Sequence, residues 1–165
     1  MKKSDLPDWD YKMKFLTIID TNVIVSAFLS RHNDSATVLF LDYLFKGTIT
    51  PVYNDEILNE YSTVLTRSKF KIAKEKIDAV LTEIKTKGIH SERINSGETL
   101  PDDKGLVFYE VALSKEDSFL VTGNLEHFPK KPFVVTPAEM LQIINEMLLP
   151  KSGLLSEPAA GYGKR

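Results

Sequence analysis

The amino-acid sequence predicts an α/β protein, a three-layer α/β/α sandwich around a central, mainly parallel sheet. Three observations predict it. Strand-like and helix-like segments alternate along the chain with only short, turn-rich gaps between them. The strongest strand, Phe15 to Ile19, is continuously apolar or β-branched, as suits a strand covered on both faces. And at 165 residues, 42% of them hydrophobic, the chain has the size and apolar content of one domain able to bury a core.

Each element follows from local signals. After Asp20, Val23, Ile24, Ala27 and Phe28 recur at helical spacing, until Asn33, Asp34 and Ser35 interrupt. A second helix is expected from about Thr37 to Phe45, stopped by Gly47. Thr48 to Tyr53 reads as a short strand, with Pro51 pointing to an edge or a strand end. Asn54 and Asp55 offer caps for a helix reaching about Thr66. A longer helix is expected over Lys69 to Lys87, with Ile72, Ile77, Val80, Leu81 and Ile84 on one side and Gly88 at its end. Ile89 to Ile94 is a weaker strand. Ser96 to Lys104 is rich in turn formers, and a helix from about Leu106 to Leu113 leads into Ser118 to Thr122, the second strongest strand. Phe133 to Val135 is the last short strand, and Thr136-Pro137 opens a helix to Leu148. The expected order is β-α-α-β-α-α-β-α-β-β-α. A domain over residues 14–148 is therefore expected between an extension at 1–13 and a tail at 149–165. The tail's Gly, Pro, Ser and Ala are not expected to contribute to the core.

Composition narrows the function. There are no cysteines, no apolar run long enough to span a bilayer, and no basic-then-apolar order over Met1 to Trp9, so a cytoplasmic location away from membranes is expected. The formal net charge of -2 excludes the broadly basic surface of nonspecific nucleic-acid binders. Nucleic acid itself is not excluded, because acids that hold a divalent cation would make the sequence acidic while reversing the field that a phosphate meets.

Four features point to chemistry. Asp20 stands where a buried strand meets a helix, the place where open α/β sheets build ligand sites, although an aspartate there also serves as a helix cap. Glu60 falls inside the apolar stripe Ile57, Glu60, Val64, and Glu110 inside Leu106, Glu110, Leu113. A buried carboxylate is costly unless paired, hydrogen-bonded or metal-bound, so the two glutamates either share a metal or escape to solvent or a lysine at the stripe edge. Thr122-Gly-Asn124 ends the second strand with a tight turn, and Asn124 can offer an amide oxygen to a metal, cap the next helix or bond a phosphate. Arg67, Lys69, Lys71, Lys74 and Lys76 form the densest basic run, either a phosphate-contacting patch or a solvated helix face. Arg31 and His32 lie at the end of the first helix, and His127 is an acid or base by chemistry but a turn residue by context.

Together, Ile18-Ile-Asp-Thr-Asn-Val-Ile-Val-Ser-Ala27, Ile57-Leu-Asn-Glu-Tyr61, Val107-Phe-Tyr-Glu-Val-Ala-Leu113 and Leu120-Val-Thr-Gly-Asn-Leu-Glu-His-Phe-Pro129 resemble the PIN-domain nucleases, in particular the toxins of bacterial toxin-antitoxin pairs. The resemblance covers about Lys14 to Met147. It implies a metal-dependent endoribonuclease that leaves a 5' phosphate and a 3' hydroxyl, a small antitoxin partner, and a dimer. By similarity, Asp20 and Glu60 match the first two metal-binding acids and Asn124 the fourth site. The family pattern places a third acid seven residues before Ala112, where this chain has Gly105. Asp103, just upstream with Asp102, is the expected substitute; otherwise the site lacks a principal ligand and the domain only binds RNA or a partner.

The chemistry suits these groups, since one or two divalent cations both activate water and neutralise the phosphodiester transition state. Oxygen ligands without cysteine favour Mg²⁺ or Mn²⁺ over zinc. The expected roles are Asp20 as central ligand, Glu60 and Asp103 as supporting ligands, and Glu110 as ligand or base. Asn124 and Thr122 are expected to position the site, with Thr21 and Asn22 bracing Asp20 or meeting the phosphate. Phosphoryl transfer through Asp20 fits less well, because the haloacid-dehalogenase pattern wants an acid at Asn22 and receivers want an acidic pair before the phosphorylated residue. A dinucleotide fold fails for want of G-x-G-x-x-G after the first strand.

Overall fold

The central strand of the sheet is β1 (Phe15–Ile19), which pairs in parallel with β2 (Ile49–Tyr53) on one side and β4 (Ser118–Val121) on the other. Outside these lie β3 (Ile89–His90) and β5 (Val134–Val135), also parallel, giving the order β3-β2-β1-β4-β5. The computed structural model describes residues 15–148, so the extension expected over 1–13 and the tail over 149–165 lie outside the described residues. Among the described residues, α1 (Thr21–Leu29), α2 (Ala36–Lys46), α3 (Asp55–Leu65), α4 (Lys74–Lys87) and α5 (Asp103–Ser114) lie in the connections between strands, and α6 (Pro137–Leu148) follows β5. The order is the one the sequence predicts, and the architecture is the three-layer α/β/α sandwich.

Burial explains why the central strands hold their places. Ile18, Ile19, Leu120 and Val121 are fully buried, and α5 packs on β1 and β4 while α2 packs against α1 and α6. Each such aliphatic side chain stabilises the fold by ~1.5–3 kcal/mol. Caps set the helix boundaries. The Ser35 side chain accepts from the Val38 N–H and the Asn54 side chain from the Ile57 N–H. Gly47 ends α2 with φ 87°, a conformation open to glycine. Gly88 is required by space: a Cβ there would lie 2.3 Å from the Ile84 carbonyl oxygen and 2.7 Å from that of Pro51.

Pro51 sits within β2, yet β3 pairs only with Val52 and Tyr53. At Pro51 the strand therefore has a neighbour on one side only, the condition under which a proline is tolerated. Three boundaries differ from expectation. The helix expected from Lys69 begins at Lys74, because Ser68–Phe70 is a 3-10 turn closed by Lys71 in the left-handed region at φ 54°. The strand expected over Ile89 to Ile94 keeps only its first two residues. The helix expected from Leu106 starts at Asp103, since the Asp102 side chain caps it by accepting from the Lys104 N–H. Among the described residues no helix is long and apolar enough to cross a membrane.

Candidate active site

Parallel pairing of β1 and β4 brings their carboxyl ends together, as the register Ile19 to Val121 requires. The Asp20 N–H continues the ladder by donating to the Val121 carbonyl at 2.9 Å. Beyond it the two turns are joined by side chains. Thr122 Oγ1 donates to Asp20 Oδ2 at 2.7 Å and accepts from the Asn124 N–H at 3.0 Å. The Gly123 N–H donates to Asn22 Oδ1 at 3.2 Å. Although Asp20 occupies the N-cap position of α1, its side chain makes no cap hydrogen bond. The carboxylate is oriented by Thr122 instead. Burial pushes its carboxyl above the usual aspartate range and the nearby Asp102 charge adds to this, while the Thr122 hydroxyl, the Thr21 backbone N–H and His127 oppose them without reversing the direction.

Asp20, Thr21, Asn22 and Asn124 line a cavity of about 260 Å³, and Glu60 on α3 and Asp102 at the start of α5 line it as well. Its apolar wall is Val25, Val64, Phe70, Phe108 and Phe128, and Lys104, Gly105 and His127 complete it. Tyr61, which sequence reasoning passed over, sets the position of α3. Its ring is buried and its hydroxyl donates to the Ile19 carbonyl, one residue before Asp20. The signal was present in the stripe Ile57, Tyr61, Leu65, which is fully buried and places Glu60 at its border.

Two expected residues lie elsewhere. Asp103 does not line this cavity; it lines a neighbouring one with Glu56, Asn59, Arg93 and Val107, which Glu60 and Lys104 share with the first, so Asp102 is the acid at the start of α5 that lies beside Asp20. The reason is helical phase, because Asp102 is the cap and Asp103 the first residue of the turn. Glu110 is buried away from the cavity. Its Oε1 accepts from Arg93 Nε at 2.8 Å, and its Oε2 accepts from the Ser96 N–H at 2.8 Å and the Ser96 hydroxyl at 2.7 Å. Arg93 also donates to Glu56 at 2.8 Å, tying α3 to α5. Burial pushes the Glu110 carboxyl up, but Ser96 and Arg93 outweigh it and the net shift is downward. Both oxygens are engaged, which answers the cost of an acid inside an apolar stripe without any metal.

The cavity's donors are of the kind a hard divalent cation takes: the carboxylates of Asp20, Glu60 and Asp102, none of which forms an ion pair among the described residues, and the amide of Asn124. Thr21, buried beside Asp20, has a hydroxyl with no partner. In kind the residues fit such an ion. In number they fall short of a gathered acidic group, since among the described residues no three Asp, Glu or His side chains come close enough to hold a metal together. Gly105, at the third-acid position of the family pattern, lines the cavity without a side chain.

No curated protein and no solved structure matches the chain. The family model described as PIN domain matches residues 17–126, from β1 through the turn after β4, and so spans Asp20, Glu60, Asp102, Gly105 and Asn124. The fold, the paired strand ends and this match agree: the chain belongs to the PIN-domain family, whose function is in general of the nuclease type.

Proposed function

We propose that this protein is a metal-dependent endoribonuclease that hydrolyses RNA phosphodiester bonds, and that it acts in the cytoplasm as the toxin of a toxin-antitoxin pair, as a dimer neutralised by a small antitoxin. The observation that carries the nuclease reading is Asp20, a partly buried carboxylate that forms no ion pair among the described residues, held by Thr122 beside Glu60 and Asp102 in one cavity. Asp20 would anchor Mg²⁺ or Mn²⁺, with one of the other cavity acids, Glu60 or Asp102, and the Asn124 amide offering further oxygens and water the rest. When bound, such an ion would supply a water made nucleophilic near neutral pH and a positive charge against the negative charge that develops on the phosphate. The chain's own residues prepare the place. Thr122 fixes the Asp20 carboxylate, Tyr61 holds α3 and with it Glu60, and Asn22 ties the two turns together. The amino end of α1, at Thr21 and Asn22, would turn the positive end of its dipole toward the scissile phosphate.

A second reading is favoured by Gly105: a PIN-type module that binds RNA or a partner but has lost catalysis because an acid is missing. One titration separates the two. Mn²⁺ and Mg²⁺ are added to the unaltered protein and to Gly105→Asp with a labelled single-stranded RNA, and Asp20→Asn serves as the blank. Cleavage by the unaltered protein, abolished in the blank, is the expected result. Cleavage only after Gly105→Asp gives the second reading. No cleavage from either overturns the nuclease reading. A Cβ at position 105 meets the Phe128 ring at 3.3 and 3.4 Å, so Gly105→Ala controls for crowding.

A further inference from the structure

We infer that the second cavity, the one lined by Arg93 and Asp103, is a base subsite, and that the base it takes is a guanine near the scissile phosphate; this rests on the nuclease reading and gives it a sequence preference. The two cavities share a border. Glu60 and Lys104 belong to the walls of both, so an RNA strand with a phosphate at Asp20 has the second cavity beside it. That cavity encloses about 280 Å³, and the buried Val107 gives it an apolar surface for a ring to lie against.

Charge decides which part of a nucleotide enters. The carboxylates of Glu56, Glu60 and Asp103 line the cavity against two cations, Arg93 and Lys104. A phosphate would meet a net negative wall, whereas an uncharged base with polar edges would not.

The wall is also fixed in advance. Arg93 Nε donates to Glu110 and Nη1 donates to Glu56, each at 2.8 Å. Nη2 is left without a partner among the described residues, and so is the Asp103 carboxylate. The buried Glu110 thus has a use besides tying α3 to α5: it holds a guanidinium at the cavity before any ligand arrives, which lowers the cost of binding. The two open groups make opposite demands. Arg93 calls for acceptors, and guanine offers the adjacent pair O6 and N7. Asp103 calls for donors, and among the four bases only guanine carries two adjacent ones, N1–H and N2–H, which a carboxylate can accept together. Cytosine has a pair of adjacent acceptors but a single amino donor beside them. Guanine alone meets both groups.

The test measures binding without cleavage, by fluorescence anisotropy on the Asp20→Asn protein, with labelled oligouridines that carry one central guanine, adenine, cytosine or inosine. Guanine should tighten binding roughly 5- to 150-fold over adenine or cytosine, the discrimination of one good bidentate pair. Inosine, which lacks the 2-amino group, should lose most of that gain. Once Asp103→Asn is added, guanine and inosine should bind alike, because the amide replaces one acceptor by a donor at the same size. 7-Deazaguanine, which lacks the N7 acceptor, should lose part of the gain as well; it tests Arg93 with no change in the protein, where an Arg93 variant would leave Glu110 unpaired. Four bases bound alike, or a full guanine gain kept by inosine, by 7-deazaguanine or with Asp103→Asn, overturns the subsite and leaves the nuclease reading standing. No RNA binding at all overturns both.

Discussion

Replacing Glu110 by glutamine tests whether this acid belongs to the fold or to the chemistry. The carboxylate takes three hydrogen bonds, from Arg93 Nε, the Ser96 N–H and the Ser96 hydroxyl, each between 2.7 and 2.8 Å. Glutamine keeps one acceptor oxygen and turns the other into an NH₂ donor. If that NH₂ faces Ser96 it meets a backbone N–H; if it faces Arg93 it meets the guanidinium. In either orientation a donor is left without an acceptor, at ~1–3 kcal/mol, and the charge assistance of the remaining bonds is lost. The Arg93-Glu56 pair is more exposed and compensates little. The expected loss is about 2–4 kcal/mol, a fall in Tm of roughly 5–15 °C for a chain of this size. The effect depends on pH with a definite sign. The Glu110 carboxyl is held below its ordinary value of 4.5, so its stabilisation is present above that value and is lost as pH falls through the folded-state pKa. Melting curves of both proteins from pH 7 down to pH 3 should therefore converge in acid. Cleavage measured well below the lowered Tm should survive the substitution. An unchanged Tm with cleavage abolished would refute this account and return Glu110 to the active site.

Asp20→Asn should abolish any cleavage while raising Tm by a few °C at pH 7, because burial lifts the Asp20 carboxyl above its ordinary 3.8 and its ionisation opposes folding. The sign follows: stability is greatest below that value and is lost as pH rises through the folded-state pKa, so the two proteins should melt alike in acid. A lower Tm at neutral pH would contradict it. Gly88→Ala should lower Tm by roughly 5–10 °C, since its methyl would press on the carbonyl oxygens of Ile84 and Pro51 at 2.3 and 2.7 Å, an overpacking cost of about 2–3 kcal/mol. An unchanged melting curve would mean that the β2-α4-β3 corner yields freely.

The element order and the Asp20 junction were legible because both are written in local patterns. A continuous apolar run, helical spacing and caps at Ser35 and Asn54 all lie within a few residues of what they determine. The start of α4 was not legible, since nothing in a run of lysines marks Lys71 as left-handed. Burial of Glu110 could be read from its stripe, but its partner could not: Arg93 is 17 residues away and meets it only after Ile89–His90 ends as a strand. Position along a helix likewise separated Asp102 from Asp103, where one residue of phase decides which acid faces Asp20. The sequence could show that an acid was absent at position 105; only the fold shows that this glycine lines the same cavity.

Both outer strands of the sheet, β3 and β5, are two residues long, and Lys130, Lys131 and Pro132 precede β5. A strand from another molecule would find only two residues to pair with on either outer strand, with charge and a missing N–H on the approach to β5 and the Pro51 ring where β2 extends past β3. Copies of this protein are thereby discouraged from zipping together edge to edge into cross-β aggregates, even at high local concentration. Whatever assembles on the domain is left to meet its helices and turns, the elements that also carry the cavity.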